Sequence, residues 1–386
     1  MRVALSTIGK FHTFDLAREL HAQDALAGVY SGYPKYKLMN EGLPSELIHT
    51  RPWIHSAYMA YPWKHKTSLS ILRNWEQLAT RDFGRYVANN LMDCDVYMGL
   101  SGSTLAAGKV ALGRGAKYVC DRGSTHIRFQ DQILREEYAK WGLQSEEVDP
   151  RTIATEEAEY AQADLITVPS NFVRRTFVEQ GVPEDKLCVL PYGVNLSRFS
   201  PVGEPAKERF DILFVGGMGL RKGVQYLVQA YNKLSHPAKS LTFVGAPSPM
   251  VIELLKSRGL WPEDAKVLGH IQQTELKHLM SKSHVMVLPS IEEGLALVQA
   301  QAMACGCPVI ATPNAGSENL YTNGEEGFIV NPCDVNALHD KLALLAGDTK
   351  LQATMRQKSI SKIKDIGGWS QYGQSAHAAI VKLVNR

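Results

Sequence analysis

Two short stretches in the second half of the chain concentrate groups suited to holding a phosphorylated ligand. In Phe210-Asp-Ile-Leu-Phe-Val-Gly-Gly-Met-Gly-Leu-Arg-Lys-Gly223 an apolar run passes into a turn rich in glycine. A helical pattern follows, with apolar residues at Val224, Leu227, Val228 and Tyr231. A strand, a glycine-rich turn containing Gly216 and Gly217, and then a helix can offer backbone N–H groups and a helix N-terminus to phosphate. Arg221 and Lys222 stand where the helix dipole disfavours cations, so an anion such as a diphosphate accounts for them better than solvation does. The turn is neither GxxxxGK[ST] nor GxGxxG, and the next strand ends Phe243-Val244-Gly245 without an acidic residue for a ribose, which argues against ATPase and NAD readings.

The second stretch is Pro289-Ser-Ile-Glu-Glu-Gly-Leu-Ala-Leu-Val-Gln-Ala-Gln-Ala-Met-Ala-Cys-Gly-Cys-Pro-Val309. It reads as a strand end, an acidic turn and a helix from about Leu295 to Gly306, with Glu293 beside the open amides of the helix start. Gln301 follows eight residues on, about two turns along and roughly on the same face. An acidic helix start explains Glu292 and Glu293 as capping, but not the flanking Pro-Ser and Gly-Cys-Pro-Val. In the first half, Gly9-Lys10-Phe11-His12-Thr13 joins the first strand to the first helix, and Asp121-Arg-Gly-Ser-Thr-His126 follows another strand. Both are expected at carboxyl ends, facing a cleft. Asp93-Cys-Asp95 has the form of a DxD metal motif but begins a strand, the wrong end for a ligand, so it reads as turn chemistry and no metal is implied.

The elements that must position these groups alternate regularly. Arg2–Ser6, Cys94–Leu100, Ala116–Asp121, Leu165–Pro169 and Lys186–Pro191 read as strands, separated by helical patterns at Phe14–His21, Thr104–Gly113 and Ile127–Trp141. After the Pro-punctuated stretch 200–208 the rhythm restarts with Phe210–Gly216, Ser240–Gly245, Ala265–Leu268, His284–Pro289 and Pro308–Ala311. This predicts two doubly wound α/β domains, 1–199 and 209–369, around a linker, with a ligand in the cleft between them. Two further helices, Leu351–Ile366 and Ser370–Val384, are parted by Gly367-Gly368-Trp369, with Ser370 as the expected cap.

Composition supports an ordinary globular enzyme: 386 residues suit two domains, and 45% hydrophobic with 21% charged residues excludes disorder. A formal net charge of +3 is too small and too scattered for a nucleic-acid footprint. Six cysteines without a CxxC pair suggest buried thiols in a reducing compartment, and MRVALSTIGKF lacks the apolar run of a secretion signal, so a cytoplasmic protein is expected.

Taken together, ValGlyGly…ArgLysGly (215–223), LeuGlyHisIle (268–271), ProSer..GluGly (289–294), AlaMetAlaCysGlyCysProVal (302–309) and AsnAlaGly (314–316) resemble glycosyltransferase family 4, whose members are retaining enzymes of the GT-B fold. ValProSerAsnPhe (168–172) and LeuProTyrGlyValAsn (190–195) extend the likeness, which is dense in the C-terminal half and thin in the N-terminal half.

The resemblance implies an N-terminal acceptor domain, a C-terminal donor domain and a last helix (370–386) that crosses back to the first. The sugar-handling carboxylate of the family falls on Glu293, with the amides of Gly294, Leu295, Ala296 and Leu297 holding sugar and phosphate. Lys222 matches the diphosphate lysine. The partner arginine of the family stands where this chain has Gly217, which makes Arg221 a candidate substitute. His270 and Ile271 would meet the base through their backbone, His126 would approach the donor sugar, and Gly9, Lys10 and His12 would border the acceptor.

This chain departs from the family at Gln301, which replaces the ribose-binding glutamate. Its neutral amide lacks the charge-assisted strength of a carboxylate. Ala296 replaces a frequent glycine. The implied reaction moves a sugar from a nucleoside diphosphate sugar to a glycan, lipid-linked or small-molecule hydroxyl, with no metal and no cofactor. Two alternatives stay open: a nucleotide-sugar-binding protein that has lost turnover, motivated by Gln301, and a GT-B phosphorylase, which would need a pyridoxal-binding lysine. The aromatic and basic stretch Arg51–Lys66 suits a peripheral contact with a membrane at its inner face, and a packed acceptor-domain loop equally.

Overall fold

The computed structural model describes residues 1–144, 148–195 and 198–386. Among them, β1 (Val3–Thr7), β2 (Leu26–Ser31), β3 (Ile48–Thr50), β4 (Val96–Leu100), β5 (Lys117–Asp121), β6 (Leu165–Val168) and β7 (Leu187–Val189) form one sheet in the order β3-β2-β1-β4-β5-β6-β7. A second sheet contains β8 (Phe210–Val215), β9 (Lys239–Val244), β10 (Lys266–Val267), β11 (Val285–Leu288), β12 (Val309–Ala311) and β13 (Gly327–Ile329), ordered β10-β9-β8-β11-β12-β13. The strands pair in parallel, which requires helical crossovers that cover both faces.

That double coverage shows in β1, where Val3 and Leu5 enter one hydrophobic core and Ala4 the other. On the Ala4 side Tyr97 and Tyr118 stack at 5.7 Å, and their buried hydroxyls bond Ser6 Oγ at 2.6 Å and Thr104 Oγ1 at 2.5 Å. Strands β2, β3 and β13 were not anticipated by the pattern of apolar runs. β3 and β13 are short and carry His49 and Gly327 in place of a continuous apolar run, and Gly28 interrupts β2. At Gly327 a Cβ would lie 2.3 Å from the Val309 carbonyl oxygen, so the close approach of β12 demands a residue that no strand propensity favours.

Each sheet reverses its strand order once, between β1 and β4 in the first and between β8 and β11 in the second. The crevice outside the carboxyl ends of such strands is where open α/β sheets bind ligands. The loops leaving those four ends carry Lys10 and His12, Ser101, Arg221 and Lys222, and Glu293.

Two passages join the domains. The chain around Gly193 crosses the chain at Gly368 in backbone contact: a Cβ at Gly193 would sit 2.5 Å from the Gly368 carbonyl and the Trp369 nitrogen. The linker is tied to the second domain by Arg356, which donates to the carbonyls of Gly203 at 2.8 Å and Gly306 at 3.0 Å. The last helix, Trp369–Val384, lies on Thr13–Ala22 of the first domain, with Gly373 against Glu19. It begins one residue earlier than the sequence suggests. Gly368 occupies the N-cap in place of Ser370, because Gly367 turns the chain at φ +77° and Trp369 packs on Tyr372 and Tyr192.

Gly223 closes the turn after β8 in the left-handed region, φ +73°, and a Cβ there would meet the Pro289 carbonyl oxygen at 1.9 Å. Gly217 in the same turn faces open space. Gly223→Ala should therefore lower stability by about 3 kcal/mol or more, while Gly217→Ala should stay within about 0.5 kcal/mol of the parent. Thermal melting of the two variants checks this, and equal melting temperatures would contradict the packing described.

Candidate active site

The turn after β8 and the turn after β11 are built against each other. The Arg221 carbonyl accepts the Ile291 amide at 2.8 Å, Thr312 Oγ1 donates to the Ser290 carbonyl at 2.6 Å, and Asn314 Nδ2 donates to the Ile291 carbonyl at 2.7 Å. Gly316, at φ +76°, leaves room for Leu295, and Gln299 Nε2 donates to the Ala315 carbonyl at 2.7 Å. The Asn-Ala-Gly triplet thus props up the acidic turn. The two adjacent glutamates of that turn point different ways.

Glu293 is partly buried, ion-paired with Lys222, and accepts from Ser290 Oγ at 3.1 Å. Glu292 is fully buried. Its Oε2 meets Arg221 Nε at 2.7 Å and Gln130 Nε2 at 3.1 Å, and its Oε1 accepts from Ser124 Oγ and Thr125 Oγ1, both at 2.6 Å. Burial pushes this carboxyl upward, but Arg221 and the three hydrogen-bonding side chains outweigh it and hold the group below the ordinary carboxylate value. Glu292 is therefore a joint between the domains, not a helix cap, and sequence reasoning missed it. Glu137 forms a comparable joint: fully buried, it accepts from Trp141 Nε1 at 3.0 Å and, across the domain boundary, from Gln225 Nε2 at 2.7 Å and Tyr226 OH at 2.8 Å.

The structure revises several expected roles. Arg221 is committed to Glu292, while the space beside Gly217 stays open. The helix begins at Leu297, so Glu293 precedes it and its spacing to the half-buried Gln301 is not a helical repeat. The Ala296 amide donates to the Ala315 carbonyl at 3.1 Å and is not free for a ligand. Gly294 is pressed against Gly123 of the other domain, where a Cβ would come within 1.9 Å of the carbonyl oxygen, and its own carbonyl accepts from Ser170 Oγ at 2.8 Å. Exposed His270 and half-buried Ile271 follow β10, next to Gly245, whose amide bonds the Gly269 carbonyl. Gly216 lies across from Gly245 at the neighbouring strand end.

His126 is the largest correction. Its Nδ1 accepts the Arg128 amide as a helix cap, and the ring packs edge-on to Phe177 at 4.9 Å and against Tyr160 at 5.1 Å, inside the first domain. The histidine that faces the cleft is His12. A cavity of about 980 Å³ at the switch point of the first sheet is lined by Lys10, His12, Arg122, Ser124 and Tyr192, and by Leu295 and Leu297 from the second domain. Its size suits a small-molecule ligand. His12 Nε2 lies 2.6 Å from Asp121 Oδ2, and Asp121 Oδ1 accepts from Thr167 Oγ1 at 2.7 Å. Tyr192 packs on the His12 ring at 4.2 Å, so orientation is fixed on two sides. Ser124 joins this cavity to the Arg221–Glu292 cluster, receiving Arg221 Nη2 at 3.3 Å. Asp95 sits at the other end of the sheet, bonded to the Arg2 amide at 2.6 Å. Among the described residues, no group of three or more His, Cys, Asp or Glu side chains converges as a metal site would require.

Comparison with known proteins gives two tandem family matches: Glycosyltransferase Family 4 over residues 10–198 and Glycosyl transferases group 1 over residues 198–362. Among curated relatives, the sulfoquinovosyl transferase of Arabidopsis thaliana is 30% identical over 202 residues, covering 48% of this chain and 38% of that protein. The D-inositol 3-phosphate glycosyltransferase of Pseudarthrobacter chlorophenolicus is 26% identical over 241 residues, 58% of this chain and 57% of that one. The chain thus spans about half the length of the curated relatives it matches. In structure, the sucrose-phosphate synthase of Thermosynechococcus elongatus superposes with a TM-score of 0.71 at 21% identity, covering 99% of both chains. Anabaena HepE, in complex with UDP and glucose, gives 0.70 at 15%, covering 99% of this chain and 100% of that one. These likenesses carry the fold, GT-B.

Burial of His126 lowers its pKa from 6.5 to about 4. The neutral ring is the folded form, so its contribution to stability is complete above pH 6.5 and is lost as pH falls from 6.5 towards 4, by about 3 kcal/mol at most. His126→Asn keeps a capping oxygen but cannot titrate. Its melting temperature should fall less steeply than that of the parent over this window, and identical slopes would assign the pH dependence elsewhere.

Proposed function

Because the chain belongs to glycosyltransferase family 4, we propose that it transfers a sugar from a nucleoside diphosphate sugar to an acceptor hydroxyl with retention at the anomeric carbon, in polysaccharide or glycolipid biosynthesis. The observation that carries this reading is the meeting of the two turns at the switch point of the second sheet, where Lys222 and Glu293 pair beside the start of the helix Leu297–Ala304. No side chain caps that helix start, which suits it to the diphosphate. Lys222 would leave Glu293 for the diphosphate and neutralise the charge that develops on departure, while Glu293 takes the sugar hydroxyls. His270, Ile271 and Gln301 would hold the nucleoside, and Lys10 and His12 the acceptor. The leaving phosphate oxygen would take the acceptor proton on the front side. The reading calls for no metal and no cofactor beyond the donor substrate. All six cysteines are free thiols, which supports a cytoplasmic setting.

Glu293→Ala should lower turnover by about 10²-fold or more, roughly 3 kcal/mol, and Lys222→Ala should lose most activity, both with EDTA present. The assay is product formation from UDP, GDP and ADP sugars. Wild-type rates for either variant, or strict dependence on added Mg²⁺ or Mn²⁺, would sink the assignment.

An amide at 301 offers one acceptor oxygen where a carboxylate accepts from both ribose hydroxyls. Gln301→Glu should therefore tighten nucleoside diphosphate binding by about fivefold, or roughly 1 kcal/mol. Calorimetric titration decides it: weaker binding by the Glu form would mean that the pocket requires the amide.

A further inference from the structure

We infer that the flank of the first domain around residues 51–75 docks on a lipid bilayer bearing anionic headgroups, bringing the mouth of the cavity to the membrane surface. The helix Trp53–Ala60 has no buried residue. Trp53 is 71% exposed, Met59 54%, Trp63 56% and Ile71 56%, within nineteen residues of one another in sequence. Large apolar side chains so concentrated on a surface mark a place of contact. The rings are organised: Tyr61 lies 5.8 Å from Trp63 and 5.3 Å from Trp75, and the Lys64 ammonium stands 4.1 Å over the ring of Tyr58. Aromatic residues with a polar edge, and lysines whose stems lie along apolar surface, belong at a membrane–water boundary.

Charge selects the occupant. From Arg51 to Trp75 there is no Asp or Glu, and Lys64 and Lys66 sit among the exposed aromatic residues. Arg51 is already paired with Asp82. Lysine is depleted from the buried centre of protein–protein interfaces, whereas an anionic leaflet attracts it. The surface continues to the cavity. Tyr33 and His55, 6.3 Å apart, connect the helix to the loop carrying Tyr36 and Met39, both about 70% exposed. That loop runs into Asn40, Glu41 and Gly42 on the cavity wall, where Glu41 pairs with Lys10 next to exposed Phe11. Among the described residues no helix is long and apolar enough to cross a membrane. An acceptor hydroxyl on a lipid-linked molecule would then enter the cavity from the bilayer side. This last step rests on the proposed transferase reading, while the docking itself does not.

The test is co-sedimentation of the full chain with vesicles of phosphatidylcholine containing about 30% phosphatidylglycerol, against pure phosphatidylcholine, at low and high salt. The parent should partition to the anionic vesicles and be released by salt. The triple variant W53A/W63A/I71A and the charge variant K64E/K66E should each lose about tenfold or more of that partition, with unchanged melting temperature and nucleotide binding. Docking is overturned if the parent stays in the supernatant, or if neither variant reduces binding. It is also overturned if light scattering shows a dimer that W53A/W63A/I71A dissolves, since the occupant would then be a second copy. Vesicle binding by a protein that binds no nucleotide sugar would leave docking standing and refute the transferase reading alone.

Discussion

A buried carboxylate must be answered by partners, and Glu292 draws its partners from both halves of the molecule. Arg221 comes from the turn after β8, Ser124 and Thr125 from the loop after β5, and Gln130 from the helix that follows. Removing one partner of such a pair leaves an uncompensated charge and costs about 3 to 5 kcal/mol. The joint therefore fixes which loops face each other. It sets Gly294 against Gly123, ties the Arg221 guanidinium to Glu292, and lets Leu295 and Leu297 complete a cavity that otherwise belongs to the first domain. Glu137 repeats the arrangement with Gln225 and Tyr226, so two buried carboxylates take donors from across the domain boundary.

Most of the architecture was legible in the chain because its strands are apolar runs buried on both faces, ended by glycine-rich turns. Lys222 and Glu293 were legible because each stands at a strand's carboxyl end beside a helix start, and the structure pairs them. Glu292 was not, because nothing in an adjacent pair of identical residues says which side chain turns inward. That depends on Ser124, Thr125 and Gln130, more than 160 residues away in sequence. His126 misled for a related reason. A histidine just beyond a strand end has the address of a site residue, but the helix it caps turns the ring between Tyr160 and Phe177. The helix Trp53–Ala60 likewise has composition without a core-facing periodicity, and only the folded arrangement shows that its apolar residues stay outside.

The pairing of His12 with Asp121 shows how the two ends of a switch point cooperate. β1 delivers the histidine and β5 the aspartate, two positions over in the sheet, and Thr167 at the end of β6 holds the second carboxylate oxygen. Three strand ends thus fix one ring at the cavity wall. This economy comes from parallel strands, whose carboxyl ends all emerge on one side.

The backbone crossing of Gly193 and Gly368 gives the molecule a mechanical character. Two passages of the chain that meet at a single point, with no side chain between them there, would favour rotation about that point over sliding in any relative motion of the domains. A body on such a pivot returns to the same seat after every excursion. The carboxylate Glu292 would resist any such rotation, since parting the domains would rehydrate a buried charge and separate it from its four donors. Any side chain larger than hydrogen at residue 193 would act as a wedge in this bearing, shifting the axis and misaligning both seats at once.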